Sequence, residues 1–556
     1  MKIKPHESKR TMLLLILFLL INISSTLGQS TSDPNAKNIE FDIKKMLPTS
    51  PEAAMLGKFG EVPIGFYTGT ADISIPLYTL KAGELSMPIN LSYHSSGIKV
   101  EDEATWVGLG WNLEPGGAVI KIINGKDDNI VDDDFRSIDP AGYQYLYGRS
   151  ITGVYSQAPE NGYTTWLCSG EGPVYNNPAQ DSAPILNALI QGKGQPDVYQ
   201  YTFPGGFSGK FYINPKSRTP VLIDKRDSLF IQPNTQNGWT IKTLNGDSYI
   251  FNSQEVSYDN SFNNYSGETW KLTQIILSNG KIIDFSYTPG GYSNTLYNET
   301  YHDPYLLQPI SSDDYGVVKY YTYPQSTTQI LTQIKTDNVI INFNLEDRQD
   351  LSPGGNTSGT QYNPKRLKSV DVRNRLSNSL VKTFNFNYSY FTSSSDPTNT
   401  YSSESTLPLT ATTRLRLDAL QEIGYTSAGQ QVNNPAYTFS YNTSTPLPAK
   451  TSFARDFWGY NNGKANNMLL PNLNYFYYSD FDHYKNVPAS TLNAFKGANR
   501  SVDADKLTTG ILTTIKYPTG GYTTFKYESN DFSNYNYPDV SAISGHSGAI
   551  DHYVPE

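Results

Sequence analysis

One pattern of apolar and aromatic residues recurs five times between residues 201 and 530. Each copy begins with Leu-x-x-Ile or a close variant, passes through a polar turn, and ends in a strand with apolar or aromatic side chains at alternate positions. The copies, each given as its opening pair and its alternating positions, are Leu272/Ile275 with Ile283, Phe285 and Tyr287; Leu331/Ile334 with Ile341, Phe343 and Leu345; Leu367/Val370 with Phe384, Phe386 and Tyr388; Leu420/Ile423 with Tyr437, Phe439 and Tyr441; and Leu512/Ile515 with Thr523, Phe525 and Tyr527. From the opening Leu to the central Phe the copies span 13, 12, 19, 19 and 13 residues. The pattern therefore predicts strands that keep their pairing while the loops between them vary.

Each copy is predicted to be an antiparallel β-hairpin with one apolar face. A lone hairpin is at best marginally stable in water, so neighbouring copies must stack and bury that face continuously. The copies start 59, 36, 53 and 92 residues apart, which excludes an array of strict period such as a WD40 propeller. Two earlier pieces, Gly209–Ile213 and Gly246–Phe251, share the pattern. We predict an all-β fold of irregular antiparallel β-hairpin repeats wound into a curved sheet or partial shell, with a few short helices.

The amino-acid composition supports this fold class and excludes some classes of binding partner. Only 17% of residues are charged, while the chain has 42 Tyr, 43 Gly and 34 Pro, a mixture that suits short strands and tight turns. The net charge is −9, so there is no basic surface for nucleic acid. The single cysteine, Cys168, excludes an internal disulfide framework and a Cys-rich metal centre. The six histidines are scattered and form no metal-binding spacing.

The N-terminus predicts export. Lys2, Lys4, Lys9 and Arg10 precede an apolar run over residues 12–23, which small and polar residues follow. This order is typical of a secretory signal peptide, and the run is too short to span a bilayer. We predict a signal peptide over residues 1–28, no membrane span, and a secreted or cell-surface protein.

The remaining chain divides by composition and pattern. Ile73–Tyr78 and Ile89–Tyr93 alternate apolar and other residues, and the turn Lys81–Glu84 between them predicts a hairpin. The predicted segments are a flexible lead-in over 29–49, an N-terminal β-region over 50–134, an irregular insertion with a short helix over 135–200, the repeats over 201–530, and a polar tail over 531–556.

A motif rich in tryptophan and glycine stands between the first hairpin and the following strand. Its candidate structural residues are Trp106, Gly108, Gly110, Trp111, Gly116 and Gly117. Glycine lets backbone segments approach closely beneath large rings, so the motif favours tight packing. A phosphate-binding loop is the alternative, but neither a helix pattern nor Lys-Ser/Thr follows the glycines.

An acidic run lies directly after this β-region. Its five aspartates are Asp127, Asp128, Asp132, Asp133 and Asp134. Carboxylates at this density are a weak candidate for Ca²⁺, although EF-hand spacing is absent. A solvated acidic turn is the favoured interpretation, and we predict no cofactor.

Several segments resemble a known family. The opening residues that carry the resemblance are Pro51–Ala54, Tyr67–Thr70, Ile73–Leu77, Leu91–Tyr93 and Val107–Leu113, and the later ones are Arg414–Asp418, Asp456–Tyr460 and Tyr517–Tyr522. Together they resemble Rhs/YD-repeat proteins of the Bacteroidota type and, more distantly, the B component of insecticidal toxin complexes and the virulence-plasmid B protein. The resemblance implies a shell of spiralling strands that encloses a C-terminal effector. No segment matches the self-cleaving core of better-known relatives, so we expect the chain to be either the front of a longer product or a shortened relative.

These observations give three functional hypotheses. The first is a noncatalytic exported β-scaffold, part of an Rhs-type shell whose partner is a continuing Rhs segment or an effector polypeptide. The second is a cell-surface adhesin or glycan-binding module that uses exposed tyrosines, although half-buried strand positions favour tyrosine in any case. The third is a hydrolase on a β scaffold, but no G-x-S-x-G or H-E-x-x-H motif is present. We therefore predict no catalytic residue and no enzymatic activity.

Overall fold

The structure, a computed structural model, describes most of the repeat region and part of the N-terminal region. The described residues are 69–124, 196–214, 217, 219–223, 228–259, 264–302, 316–355, 359–396, 398–402, 405–471 and 497–529. The predicted signal peptide, lead-in, acidic run and polar tail, and the insertion up to residue 195, lie outside them.

Antiparallel strands dominate the described residues, which confirms the predicted all-β class. A small sheet has the order β1–β2–β3, with strands β1 (Asp72–Ala82), β2 (Leu85–His94) and β3 (Trp111–Asn112). The strands of the large sheet are β4 (Ala118–Ile122), β5 (Val198–Phe203), β6 (Phe207–Ile213), β7 (Pro220–Leu222), β8 (Phe230–Pro233), β9 (Trp239–Lys242), β10 (Ser248–Asp259), β11 (Asn264–Ile276), β12 (Ile282–Ser293), β15 (Pro324–Lys335), β16 (Val339–Asp347), β17 (Ser352–Gly355), β18 (Gln361–Tyr362), β19 (Lys365–Asn374), β20 (Leu380–Thr392), β21 (Thr413–Tyr425), β22 (Gln431–Asn433), β23 (Tyr437–Tyr441), β24 (Leu512–Lys516) and β25 (Tyr522–Thr524). A separate hairpin consists of β13 (Leu296–His302) and β14 (Gly316–Thr322).

Helices are short in the described part of the chain. They are α1 (Leu409–Thr412) and α2 (Ala504–Leu507). The side chain of Asp503 caps α2 by accepting a hydrogen bond from the backbone N–H of Lys506. Among the described residues, no helix has the length and apolar character needed to cross a membrane.

The first predicted hairpin and four of the five repeat hairpins are present in the predicted register. The first is β1–β2, with Ile75 opposite Leu91. Four of the repeat copies share one register, in which the second residue of the opening pair faces the first alternating position. These pairs are Ile275 with Ile283, Ile334 with Ile341, Val370 with Phe384, and Ile515 with Thr523.

In the remaining copy, the observed strand pairing is shifted by three residues from the predicted pairing. Leu420, predicted as the opening residue, instead faces Tyr437 in the position of the second apolar residue. Leu417 therefore opens this copy, while Ile423 pairs with Asn433 of the extra strand β22. The prediction was wrong because Leu417, Leu420 and Ile423 stand three residues apart, so the pattern fits twice.

A β-bulge occurs at the same place wherever a new copy joins the strand before it. Directly after each opening Leu, one residue is left without a partner: Thr273, Thr332, Lys368, Asp418 and Thr513. A bulge bends its strand and increases the local twist. Repetition of the bulge therefore gives the large sheet its curvature.

Side chains of the repeat secure these bulges. In three copies the tyrosine at the last alternating position donates its hydroxyl to the carbonyl of the opening Leu. The bonds run from Tyr287 to Leu272 (2.7 Å), from Tyr388 to Leu367 (2.7 Å) and from Tyr441 to Leu417 (2.6 Å). At three bulges a threonine hydroxyl also donates to a carbonyl of the preceding strand, from Thr273 to Ile250, Thr332 to Ser286 and Thr513 to Ser440.

The small sheet and the large sheet share one hydrophobic core. Apolar side chains on alternate positions of β1 and β2, such as Ile89 and Leu91, are fully buried with those of the repeats. At β5–β9 the core becomes aromatic, with Tyr199 stacked on Phe211 at a centroid distance of 5.0 Å and edge-on to Trp239. The small sheet thus covers the apolar face that the repeats present, as a two-layer β fold requires.

Candidate functional site

The two tryptophans of the predicted motif fix the loop between β2 and β4 in different ways. The ring of Trp111 is fully buried, and its Nε1 donates to the hydroxyl of Tyr441 at 2.8 Å, 330 residues away in sequence. Nε1 of Trp106 instead donates to the carbonyl of Leu113 at 3.1 Å, within the loop. One tryptophan therefore attaches the loop to a repeat, and the other closes the loop on itself.

The four glycines of the motif lie in different environments. Gly108 has a φ of +114°, and a Cβ there would lie 3.1 Å from the backbone nitrogen of Leu417. A Cβ on Gly110 would lie 2.6 Å from the ring of Tyr93, and one on Gly117 would lie 2.6 Å from the carbonyl oxygen of Thr202. At Gly116 the nearest atom to such a Cβ is 3.5 Å away, an ordinary contact.

Residues 93–117, which we name the docking segment, run along the bulges of the repeats. A bulge leaves backbone groups without partners in the ladder, and a buried backbone group needs a partner. The docking segment accepts from three N–H groups of opening leucines: Leu272 to the carbonyl of Gly117 (2.8 Å), Leu367 to the carbonyl of Trp106 (2.9 Å), and Leu512 to the hydroxyl of Tyr93 (2.9 Å). The segment therefore contacts three separate copies at equivalent positions.

A group of buried and half-buried charged residues lies where the docking segment meets the rest of the chain. We name Glu103, Arg348, Asp350, Arg414 and Lys450 the charged cluster. Its centre is a two-pronged ion pair, in which Nε and Nη2 of Arg348 donate to the two carboxylate oxygens of Asp350 at 2.8 and 2.7 Å. This geometry is the strongest form of a charge-assisted hydrogen bond.

The ion pair joins three parts of the chain. Arg348 also donates to the carbonyls of Ala104 and Thr105, which are 244 and 243 residues earlier. Asp350 accepts from the backbone N–H of Leu415 in β21 at 2.8 Å. The docking segment, the loop after β16 and strand β21 therefore meet at one pair of side chains.

Lys450, Glu103 and Arg414 extend the cluster. Nζ of Lys450 contacts the carboxylate of Glu103 and donates to the carbonyl of Asp350 at 2.7 Å. Arg414 donates to the carbonyls of Val100 and Pro448, the first of them 314 residues away. Arg348 is thus paired with Asp350 and Lys450 with Glu103, as stable burial of ions requires, whereas Arg414 bonds to carbonyls and its Nε has no hydrogen-bond partner among the described residues.

Burial shifts the pKa values of these groups. It raises the pKa of Glu103 and lowers that of Lys450, and the contact between the two opposes both shifts. Burial also lowers the pKa of Arg414 to about 10, which still leaves it charged at neutral pH. Burial alone would raise the pKa of Asp350. The hydrogen bonds from Arg348 and Leu415 outweigh burial, so the pKa of Asp350 lies below its ordinary value.

Two cavities adjoin the charged cluster, and Glu103 lines both. The first, of about 310 Å³, is lined by apolar residues such as Trp106 and Leu331 together with Lys271. The second, of about 410 Å³, is more polar and lies beside Lys450, at the base of the β13–β14 hairpin.

The cluster is built to join segments. Arg348 donates to two backbone carbonyls and to the carboxylate of Asp350, and Arg414 donates to two backbone carbonyls. In the part of the chain that the structure describes, no group of three or more His, Cys, Asp or Glu residues could hold a metal ion. The weak Ca²⁺ candidate at Asp127, Asp128, Asp132, Asp133 and Asp134 lies outside that part and stays a prediction, as does the absence of catalytic residues.

Sequence reasoning missed the charged cluster. The sequence around Arg414 gave no signal, because Arg414 and Arg416 alternate with Leu415 and Leu417, and this alternation predicts that both arginines are exposed. Asp350, the partner of Arg348, lies just after the end of β16, and nothing in its sequence neighbourhood distinguishes it from an exposed acid.

Comparisons with known proteins give structural neighbours at low similarity. No protein-family model matches the chain, and no curated protein matches its sequence. Among solved structures, the chain is similar to TcdB2-TccC3-TEV with a TM-score of 0.32 and 12% identity, over 71% of this chain and 17% of that one. It is also similar to the Photorhabdus luminescens Tc holotoxin pore (TM-score 0.30, 12% identity, 69% and 16%) and to TcdB2-TccC3-Cdc42 (0.29, 12%, 67% and 16%). The chain thus spans about a sixth of the length of the chains it matches.

Proposed function

We propose that the protein is a noncatalytic exported β-scaffold, part of an Rhs-type shell that encloses or presents a C-terminal effector. The resemblance of Val107–Leu113 and the other motif segments to Rhs/YD-repeat proteins suggests this role. Export rests on the predicted signal peptide.

One observation carries the proposal. The second strand of each earlier copy pairs with the first strand of the next through the same bulged register, at β12–β15, β16–β19, β20–β21 and β23–β24. Strand β25, the second strand of the last copy, pairs with β24 and with no other strand among the described residues. An open edge of this kind is a template for a further strand.

The experiment is cross-linking mass spectrometry on the native protein from its source, isolated with an antibody against residues 201–530. Lys516 and Lys526 lie on either side of β25 and are exposed, so a continuing strand or an effector should cross-link to them. Lys210 in β6 is the internal control, because it is remote in sequence from that edge. The proposal predicts cross-links from Lys516 and Lys526 to additional polypeptide, and recovery of a compact monomer without such links would contradict it.

A glycan-binding role is the second candidate, because one feature favours it. Tyr320, Tyr321 and Tyr323, at and just after the end of β14, are 41%, 39% and 49% exposed. Neighbouring exposed aromatic rings offer flat apolar faces with hydroxyl groups at their edges. An array of immobilised glycans tests this role, and a complete absence of binding would remove it.

A further inference from the structure

The polar cavity at the base of the β13–β14 hairpin has the size of a small-molecule site. Its volume of about 410 Å³ falls within the range of roughly 300–1,000 Å³ that is common for ligand pockets. Tyr321, Tyr323 and Tyr401 line it together with Asn294, Lys450 and Thr451.

The aromatic wall of the cavity is held in place before any ligand arrives. The rings of Tyr297 and Tyr401 stack at 4.9 Å with an interplanar angle of 8°. The hydroxyl of Tyr321 donates to the carbonyl of Tyr401 at 3.2 Å, and its ring packs on Tyr297 at 5.1 Å. Rigid rings lose little conformational freedom on binding, which favours affinity.

The polar groups of the wall have hydrogen-bonding capacity that the fold does not use. The hydroxyl of Thr451 is buried and has no hydrogen-bond partner among the described residues. An ammonium group has three N–H bonds, and Nζ of Lys450 uses two in its described contacts, with Glu103 and the carbonyl of Asp350. A buried hydroxyl without a partner is costly, so a ligand that bonds to it after rotation of the Thr451 side chain gains affinity.

The charges that line the cavity are already paired within the protein. Glu103 contacts Lys450, and Asp350 forms its ion pair with Arg348. A charged ligand would have to compete with these pairs, whereas a neutral ligand rich in hydroxyl groups leaves them intact.

We propose that this cavity is a binding site for a short neutral saccharide, whose ring packs against Tyr323 and whose hydroxyls bond to Thr451 and Lys450. The inference goes beyond the scaffold role and does not depend on it. It deepens the second candidate function by giving that function a site.

The test is titration of the full chain with maltose, cellobiose, lactose and chitobiose, followed by calorimetry and ligand-observed NMR. Glucuronic acid and glucosamine serve as charged comparators. Tyr323→Ala removes the exposed ring, and Tyr320→Ala is its matched control because Tyr320 is similarly exposed but does not line the cavity. Thr451→Val removes only the unsatisfied hydroxyl, so it does not weaken the fold.

At least one neutral disaccharide should bind, and Tyr323→Ala and Thr451→Val should each raise its Kd about tenfold, a loss typical of one good contact. Tyr320→Ala should leave the Kd unchanged. The proposal is overturned if no neutral disaccharide binds at up to about 10 mM, where even a site with a Kd of about 1 mM would be mostly filled. It is equally overturned if only the charged sugars bind, or if both cavity variants bind as the wild type does. None of these results bears on the cross-links expected at β25.

Discussion

The repeated hairpins and the charged cluster stabilise the same molecule through different kinds of contact. In the hairpins, neighbouring strands pair in one recurring register, and the tyrosine at the end of a copy bonds to the leucine that opens it, as Tyr388 does to Leu367, 21 residues away. In the cluster, single side chains join segments that are far apart, as Arg348 does with Thr105 across 243 residues. The first kind of contact is local and repeated, whereas the cluster joins segments that are distant in sequence.

The two kinds of contact determine different properties: the hairpins determine the curvature of the sheet, and the charged cluster determines how distant segments are placed against each other. The bulges bend each strand pair in the same way, so curvature arises wherever the repeat occurs. Placement of the docking segment against several copies depends on the charged cluster, because its hydrogen bonds reach the carbonyls of Val100, Ala104 and Thr105. Changes in the cluster should therefore affect distant segments together, whereas changes in a hairpin should act locally.

The largest effect is expected from Asp350→Ala. The change leaves the guanidinium of Arg348 and the N–H of Leu415 buried without their acceptor, and loss of one partner of a buried ion pair costs about 3–5 kcal/mol. Urea unfolding measures the difference. Asp347→Ala is the control, because its ion pair with Lys365 is exposed and should contribute at most about 1 kcal/mol. Equal effects of the two changes would show that the cluster has no special role.

Two adjacent glycines give the next comparison. Gly117→Ala should destabilise the fold by about 1–3 kcal/mol, the range for overpacking, because its Cβ would lie 2.6 Å from the backbone oxygen of Thr202. Gly116→Ala meets only an ordinary contact at 3.5 Å and should change stability little. Thermal or urea unfolding of both variants decides the matter, and a larger loss for Gly116→Ala would refute the packing described.

The tyrosines of one copy test the repeated hydrogen bond. Tyr441→Phe removes a hydroxyl that donates to Leu417 and accepts from Trp111, so we expect a loss of about 1–3 kcal/mol. Tyr437→Phe in the same copy is the control, because no described hydrogen bond involves its hydroxyl and the change should be nearly neutral. The measurement is the midpoint of urea unfolding, and indistinguishable midpoints would count against the bond.

The smallest effect concerns pH. The pKa of Asp350 is lowered in the folded protein because its hydrogen bonds outweigh burial. A carboxyl with a lowered folded-state pKa stabilises the fold above its unfolded-state pKa of about 4, and the contribution disappears as the pH falls through the folded-state value. The difference in unfolding free energy between wild type and Asp350→Asn should therefore shrink below about pH 4. If the difference in unfolding free energy stays constant as the pH falls, the pKa of Asp350 is not lowered in the folded protein.

The fold could be predicted from the sequence because its signals are local and repeated. Alternation at positions such as Phe343 and Leu345 defines the strands, and recurrence of Leu-x-x-Ile defines the copies. The bulges could not be predicted, because the residue after the opening leucine is threonine in three copies but Lys368 and Asp418 in the other two, and none of these residue types is specific to a bulge. The charged cluster could not be predicted either, because the partners of Arg348 are fixed only when the sheet has brought distant segments together.

Hydrogen exchange of wild type and Asp350→Asn, followed by mass spectrometry, tests the central claim most directly. If the charged cluster holds distant segments as one unit, the substitution should speed exchange together in residues 98–117, 345–351 and 412–417. Exchange in β5 and β6 should stay unchanged, because protection reports the local stability of each unit. Faster exchange confined to residues 345–351 would contradict the claim.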